Sequence, residues 1–103
     1  MVVKFVDLSP AWDEVRSEIE TRWQSVHKVS SYIGGPEVEA FEREFAHYCG
    51  AKTAVGVASG TDAIRLVLQA LGVGNGDTVI TAPNSFVASI SPAVSLGALP
   101  AFV

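Results

Sequence analysis

The chain has 103 residues, which is the length of one ordinary domain. Seven Lys and Arg against eleven Asp and Glu give a net charge of −4, and the cations are scattered, which excludes a generally basic nucleic-acid binder. Cys49 is the single cysteine, which leaves no partner for an internal disulfide, and the apolar stretches are too short to cross a bilayer, so we expect a cytoplasmic protein.

The first predicted element is an amphipathic helix over residues 10–28. Ser9 and Pro10 suit the N-cap and the first position of such a helix. Its apolar residues recur every three or four positions, at Trp12, Val15, Ile19, Trp23 and Val26. This spacing places them on one helical face.

A glycine-rich loop over residues 29–36 separates this helix from a second one. The second helix is predicted to begin at Pro36 and to end before Gly50. Its glutamates predict a solvated face rather than a metal site, because no His or Cys stands at ligand spacing among them. No metal ligand is therefore assigned.

The second half of the chain carries far fewer charges than the first, with only four charged residues after position 50. Apolar segments and turns there predict strands over 53–57, 78–82 and 99–103, and helices over 61–71 and, interrupted by Pro92, over 85–96. This alternation predicts an α/β fold, a parallel sheet with helices on both faces. So few charges leave little polar surface, and we therefore expect the N-terminal part of a larger protein.

The turn after the first predicted strand contains Ser59, Gly60 and Thr61. A glycine lets the backbone approach a ligand closely, and the N–H groups at the start of a helix favour an anion such as phosphate. The segment fits neither G-x-G-x-x-G nor a P-loop. On the residues alone, an anion site and a simple helix cap made by Ser59 and Thr61 are equally good interpretations.

The turn after the second predicted strand contains Ser85 and Phe86. An aromatic ring just beyond the carboxyl end of a strand can stack on a flat ligand. Together with an anion site, it suggests a planar heterocycle that carries a phosphate. The alternative, in which Phe86 packs in the core, is the commoner role of a phenylalanine.

Five blocks of the sequence together resemble the N-terminal part of the DegT/DnrJ/EryC1/StrS sugar aminotransferases. The blocks are residues 35–46, 54–63, 76–80, 83–89 and 97–103, in family order and near the family's spacing. The resemblance covers nearly the whole chain and implies the N-terminal portion of a fold-type-I transferase that uses pyridoxal 5′-phosphate (PLP). It makes residues 1–35 an N-terminal helix with a substrate-side loop, and residues 36–103 the first part of the large PLP-binding α/β domain, incomplete at the C-terminus.

The resemblance also assigns cofactor-binding residues. The family's S-G-T-D-A block holds the PLP phosphate, which implies this role for Ser59, Gly60, Thr61 and Asp62. Asp62 is expected to contribute mainly its backbone N–H, with its carboxylate turned away, because a carboxylate repels phosphate.

Two further residues are assigned by the same resemblance. Phe86 matches the aromatic residue that stacks on the pyridine ring, and Ser85 stands before it where Thr is usual. The segment 31–35 matches a loop near the family's sugar substrate, which implies a substrate contact for Tyr32.

The family's Schiff-base lysine is expected beyond Val103, so residues 1–103 contain no catalytic residue and would not transaminate alone. The resemblance implies an aminotransferase of amino-sugar biosynthesis, a homodimer that acts on a nucleotide-linked keto-sugar with glutamate or glutamine as amino donor. The alternatives are a PLP-dependent sugar dehydratase of the same family, a catalytically silent fragment, and an unrelated small phosphate-binding module.

Overall fold

The computed structural model describes residues 3–103, and within them the chain forms four α-helices, a short 3-10 helix and a two-stranded sheet. In chain order these are α1 (Ser9–Val29), α2 (Pro36–Tyr48), α3 (Gly60–Ala70), β1 (Thr78–Thr81), the 3-10 helix Val87–Ser89, α4 (Ser91–Ser95) and β2 (Leu99–Phe102). None of the helices in the described chain has the length and apolar character needed to span a bilayer. The predicted α/β class is confirmed.

The chain divides into two compact units, of which the first ends at Ala54 and the second begins at Val55. The first unit contains α1 and α2, and the second contains α3, α4 and both strands. The predicted boundary between residues 35 and 36 concerns the domains of a longer protein and stays a prediction.

The start of α1 differs from the prediction in its capping residue. Leu8 is the N-cap and Ser9 is the first helical residue, so the assignment of Ser9 as N-cap is wrong. Instead, Asp7 Oδ1 accepts hydrogen bonds from the Ser9 N–H (3.1 Å) and the Ser9 hydroxyl (2.7 Å). The carboxylate thus partners an N–H that the helix itself leaves unpaired. The Ser9 hydroxyl and Lys4 lower the pKa of Asp7 below its ordinary value.

The first unit buries little of its apolar surface. None of the 21 residues of α1 is buried, and Ala46 is the buried residue of α2. The apolar face predicted for α1 forms, but Trp23 on it is 57% exposed. One ion pair joins the two helices, with Arg22 Nη1 at 3.8 Å from Glu37 Oε1.

The helices end where their sequences predict a stop. After α3, Gly72 has a positive φ of 79°, and the N–H groups of Gly72 and Val73 donate back to the carbonyls of Gln69 and Leu68, each at 3.0 Å. This is the Schellman arrangement, with Gly72 in the left-handed position just after the helix. The end of α1 has the same arrangement around Ser30, which adopts a φ of 52°.

The second unit is built on the parallel pair of β1 and β2, in which Thr78 lies opposite Leu99 and Thr81 opposite Phe102. The 3-10 helix and α4 make the crossover between the strands, and α4 packs against both α3 and β2. The residues at the centre of this packing are small or compact: Pro92, Ala93 and Ala98 are buried. Two of the three predicted strands and their parallel pairing are therefore confirmed.

The strand predicted over 53–57 is absent from the structure. An extended segment becomes a strand only when a neighbour supplies a hydrogen-bonded ladder, and the sheet of the described residues consists of β1 and β2 alone. Val55 and Val57 in this segment are exposed. The prediction was wrong because apolar β-branched composition gives no information about the pairing partner.

The helical segment predicted over 85–96 forms in two pieces. The 3-10 helix ends at Ser89, Ile90 leaves helical geometry with a φ of −125°, and α4 then begins at Ser91. Proline lacks an N–H and its ring collides with the carbonyl four residues back, but it is tolerated in a first helical turn. The helix therefore restarts just before Pro92, which confirms the predicted interruption.

Candidate functional site

The N-terminus of α3 is capped by Ser59. This residue has an extended backbone, and its hydroxyl accepts a hydrogen bond from the Asp62 N–H at 3.2 Å. Its carbonyl accepts from the Ala63 N–H at 2.9 Å. The simple-cap interpretation of Ser59 is thus correct for this one residue, while Thr61 lies inside the helix rather than capping it.

Two N–H groups at the same terminus remain open to a ligand. The first N–H groups of a helix have no carbonyl partner within it, and within the described chain those of Gly60 and Thr61 have no acceptor. A methyl group placed on Gly60 would meet no atom within 4 Å, so the space around it is clear. The positive end of the helix dipole also lies here. The terminus can therefore receive an anionic oxygen alongside its cap.

The carboxylate of Asp62 is bound within α3. Its Oδ1 accepts from Arg65 Nη2 at 2.7 Å and from Arg65 Nε at 3.2 Å, and both side chains are partly buried. Because the guanidinium lies one turn further along the helix, it offsets the negative charge close to the terminus. The ion pair thus removes much of the repulsion that a phosphate would otherwise meet.

Phe86 belongs to the same compact unit as α3. It follows β1 and is the N-cap of the 3-10 helix, which packs against α3. Its side chain is 76% exposed, so the core alternative does not hold within this unit. The Ser85 and Ser89 hydroxyls lie 2.7 Å apart, and the Ser89 N–H donates to the Phe86 carbonyl at 2.9 Å. These bonds fix the short segment that carries the exposed ring.

Tyr32 belongs to the first unit, in the loop between α1 and α2. Its hydroxyl lies 2.8 Å from His27 Nδ1, and the side chain is 59% exposed. The structure therefore brings Ser59, Gly60, Thr61 and Asp62 together in one turn, with Phe86 in the same unit. Among the described residues, no group of three or more His, Cys, Asp or Glu side chains could hold a metal ion.

Two residues that contact the assigned side chains, one in each unit, were not predicted from the sequence. Arg65 stands three residues after Asp62, a spacing typical of an ion pair on a helix, and this signal was available in the sequence. His27, in the last turn of α1, is the second of these residues. Its contact with Tyr32 crosses the end of α1, and no spacing rule predicts a contact across such a turn.

Comparison with known proteins identifies the family of the chain. The sequence profile of the DegT/DnrJ/EryC1/StrS aminotransferase family matches residues 13–103. The chain is 44% identical over 98 residues to a dTDP-3-amino-3,4,6-trideoxy-alpha-D-glucose transaminase of Streptomyces venezuelae, covering 95% of this chain and 26% of that protein. It is 39% identical over 102 residues to a UDP-2-acetamido-2-deoxy-3-oxo-D-glucuronate aminotransferase of Pseudomonas aeruginosa, covering 99% and 28%.

The chain also matches solved structures over nearly its whole length. The chain superposes on S. venezuelae DesV with a TM-score of 0.90 at 44% identity, covering 98% of this chain and 27% of that one. It superposes on Bacillus subtilis NtdA, solved with bound pyridoxamine phosphate, with a TM-score of 0.76 at 30% identity, covering 100% and 25%. The chain thus spans about a quarter of the length of the relatives that it matches.

Proposed function

Since the chain belongs to the DegT/DnrJ/EryC1/StrS aminotransferase family, we propose that it forms the N-terminal portion of an enzyme that transfers an amino group to a keto-sugar linked to a nucleoside diphosphate. The named activities of the relatives support this substrate class, since they act on dTDP-linked and UDP-linked sugars. Glutamate or glutamine is the proposed amino donor. The proposed protein is a cytoplasmic homodimer.

The family depends on PLP, and the described residues fit its phosphate. The observation that carries the proposal is the open terminus of α3, where the Gly60 and Thr61 N–H groups have no acceptor among residues 3–103, the space next to Gly60 is clear and the Asp62 carboxylate is paired with Arg65. An anionic phosphate suits such a terminus. PLP, when bound, supplies the electron sink that lets an amino group leave one carbon and join another.

Each assigned residue has a distinct part in this proposal. The Gly60 and Thr61 N–H groups and the Thr61 hydroxyl donate to the phosphate oxygens. Because the Asp62 N–H already donates to Ser59 Oγ, Ser59 and Asp62 hold the shape of the turn. Phe86 would stack on the pyridine ring of bound PLP and exclude water from one of its faces. Tyr32 contacts the sugar substrate, and the cofactor-bearing lysine lies outside residues 1–103.

The first experiment measures cofactor affinity and activity in the full-length protein. Thr61→Ala removes a hydrogen bond to a charged group and Phe86→Ala removes a ring stack. Each change is expected to weaken PLP binding by about 1–3 kcal/mol. Affinity is followed by the visible absorbance of the bound cofactor, and activity by amino transfer from glutamate or glutamine to a dTDP-linked or UDP-linked keto-sugar.

Two matched variants control for the loss of a hydroxyl or of an aromatic ring. Thr21 lies within α1, where its hydroxyl donates to the Ser17 carbonyl, and Phe5 is fully exposed before α1. Thr21→Ala and Phe5→Ala should leave cofactor affinity unchanged. Equal affinities in all four variants and the unmodified protein would refute the assignment of Thr61 and Phe86. A protein without cofactor absorbance would refute the function itself.

A further inference from the structure

The loop between α1 and α2 makes few backbone contacts of its own. The Ser31 N–H still donates to the Val26 carbonyl at 3.2 Å. For the backbone N–H groups of residues 32–35, the described chain offers no acceptor, and the next such bond runs from the Glu39 N–H to the Gly35 carbonyl. Gly34 and Gly35 have positive φ values of 65° and 88°. The backbone hydrogen bonds of the loop therefore do not fix the position of Tyr32.

The side chain of Tyr32 supplies the contact that the backbone lacks. Its hydroxyl lies 2.8 Å from Nδ1 of His27, in the last turn of α1. The two rings also meet edge to face, with centroids 5.5 Å apart at 70°. This contact joins the loop to a rigid helix by a polar bond and a ring contact at once.

His27 is itself held on its other side. The ring of Trp23, four residues earlier on the same helical face, meets the imidazole edge to face at a centroid distance of 4.7 Å and an angle of 82°. Trp23 and Tyr32 thus flank the imidazole and limit its rotation. Whichever partner donates in the bond to His27, the phenol oxygen keeps a second position for a group outside the pair.

We propose that His27 is a positioning residue that orients the Tyr32 hydroxyl toward a hydroxyl group of the sugar substrate. This inference rests on the proposed function, in which Tyr32 contacts that substrate. His27 acts only through Tyr32 and touches neither cofactor nor amino donor. It should therefore affect the half-reaction with the nucleotide-sugar and leave the half-reaction with the amino acid unchanged.

The test uses the full-length enzyme with its cofactor and measures the two half-reactions separately. His27→Ala is expected to raise KM for the keto-sugar about three- to tenfold, the range of one neutral hydrogen bond, with kcat nearly unchanged. His27→Asn keeps a polar atom near the place of Nδ1 and should restore much of the loss. Tyr32→Phe should reproduce the effect of His27→Ala, and the double variant should add nothing further.

His47→Ala is the matched control, because His47 also stands in the last turn of a helix and is exposed. It should leave both half-reactions unchanged. An unchanged KM in His27→Ala, or an additive double variant, overturns the positioning role. Equal losses in both half-reactions also overturn it, because they indicate a general structural role. An unmodified protein that binds no PLP and transfers no amino group overturns the proposed function instead, and this inference with it.

Discussion

The two compact units are stabilised by contacts of different range. In the first unit, side-chain bonds such as Arg16 to Glu20 at 2.8 Å and Asp7 to Ser9 join near neighbours, and the ion pair of Arg22 with Glu37 at 3.8 Å joins α1 to α2. In the second, the strands pair residues far apart in the chain, with Thr78 opposite Leu99. Local bonds are thus more prominent in the first unit, whereas the second is built on pairing between residues far apart in the chain.

This contrast explains where the candidate phosphate site lies. A helix terminus that binds a ligand needs a fixed direction, and α3 is fixed because it packs against the 3-10 helix and α4. That packing depends on Ala93, which is fully buried. By comparison, none of the residues of α1 is buried. The assigned phosphate-binding turn thus belongs to the unit with the more extensive core.

The largest expected effect comes from filling that core. Ala93→Leu adds side-chain volume at a site with no exposed surface and should destabilise the protein by about 1–3 kcal/mol, because close-packed interiors tolerate extra atoms poorly. Ala11→Leu makes the same change on the exposed α1, where Leu is nearly as good a helix former as Ala. Urea denaturation measures both. Equal urea midpoints for the two variants would contradict the conclusion that the second unit has the more extensive core.

A smaller effect comes from the helix caps, which differ between the units. Ser59→Ala removes the hydroxyl that caps α3 and should cost about 0.5–2 kcal/mol. Ser9→Ala should cost less, because the Ser9 N–H keeps its bond to Asp7 after the hydroxyl is gone. Thermal denaturation of the two variants tests this order. A greater loss for Ser9→Ala would show that the hydroxyl of Ser9, and not Asp7, is the effective cap of α1.

The smallest expected effect is a pH dependence confined to the first unit. The pKa of Asp7 is lowered in the folded chain, chiefly by the Ser9 hydroxyl, so its carboxylate stabilises α1 at neutral pH. That contribution is complete above the ordinary carboxyl pKa and is lost as the pH falls through the lowered value. Asp7→Asn should therefore be less stable than the unmodified protein at neutral pH and equally stable in strong acid.

Nuclear magnetic resonance of the amides in the first turn of α1 can follow this difference as the pH is lowered. A gap between Asp7→Asn and the unmodified protein that persists unchanged into strong acid would contradict the assignment. The variant Asp13→Asn serves as a control, because it removes an exposed carboxylate within α1 itself. It should show no such dependence.

Much of the candidate site was accessible from the sequence because its parts are local. Ser59, Gly60, Thr61 and Asp62 are consecutive, and a cap followed by a helix predicts where their N–H groups lie. The absence of a strand over 53–57 could not be predicted in the same way. This segment shares valine and threonine with β1, yet the sheet of the described chain consists of β1 and β2.

By itself, the sequence predicted the limits of α2 and α3 to within about one residue and the N-terminus of α3 as a candidate anion site. Caps, glycine stops and the 3.6-residue period act between residues a few positions apart, so they can be recognised without the fold. Only the tertiary structure decided the register of β1 and β2, with Thr78 opposite Leu99, and the contact between the Tyr32 hydroxyl and His27. Both facts depend on how the chain turns back on itself, and no short-range pattern specifies where it does so.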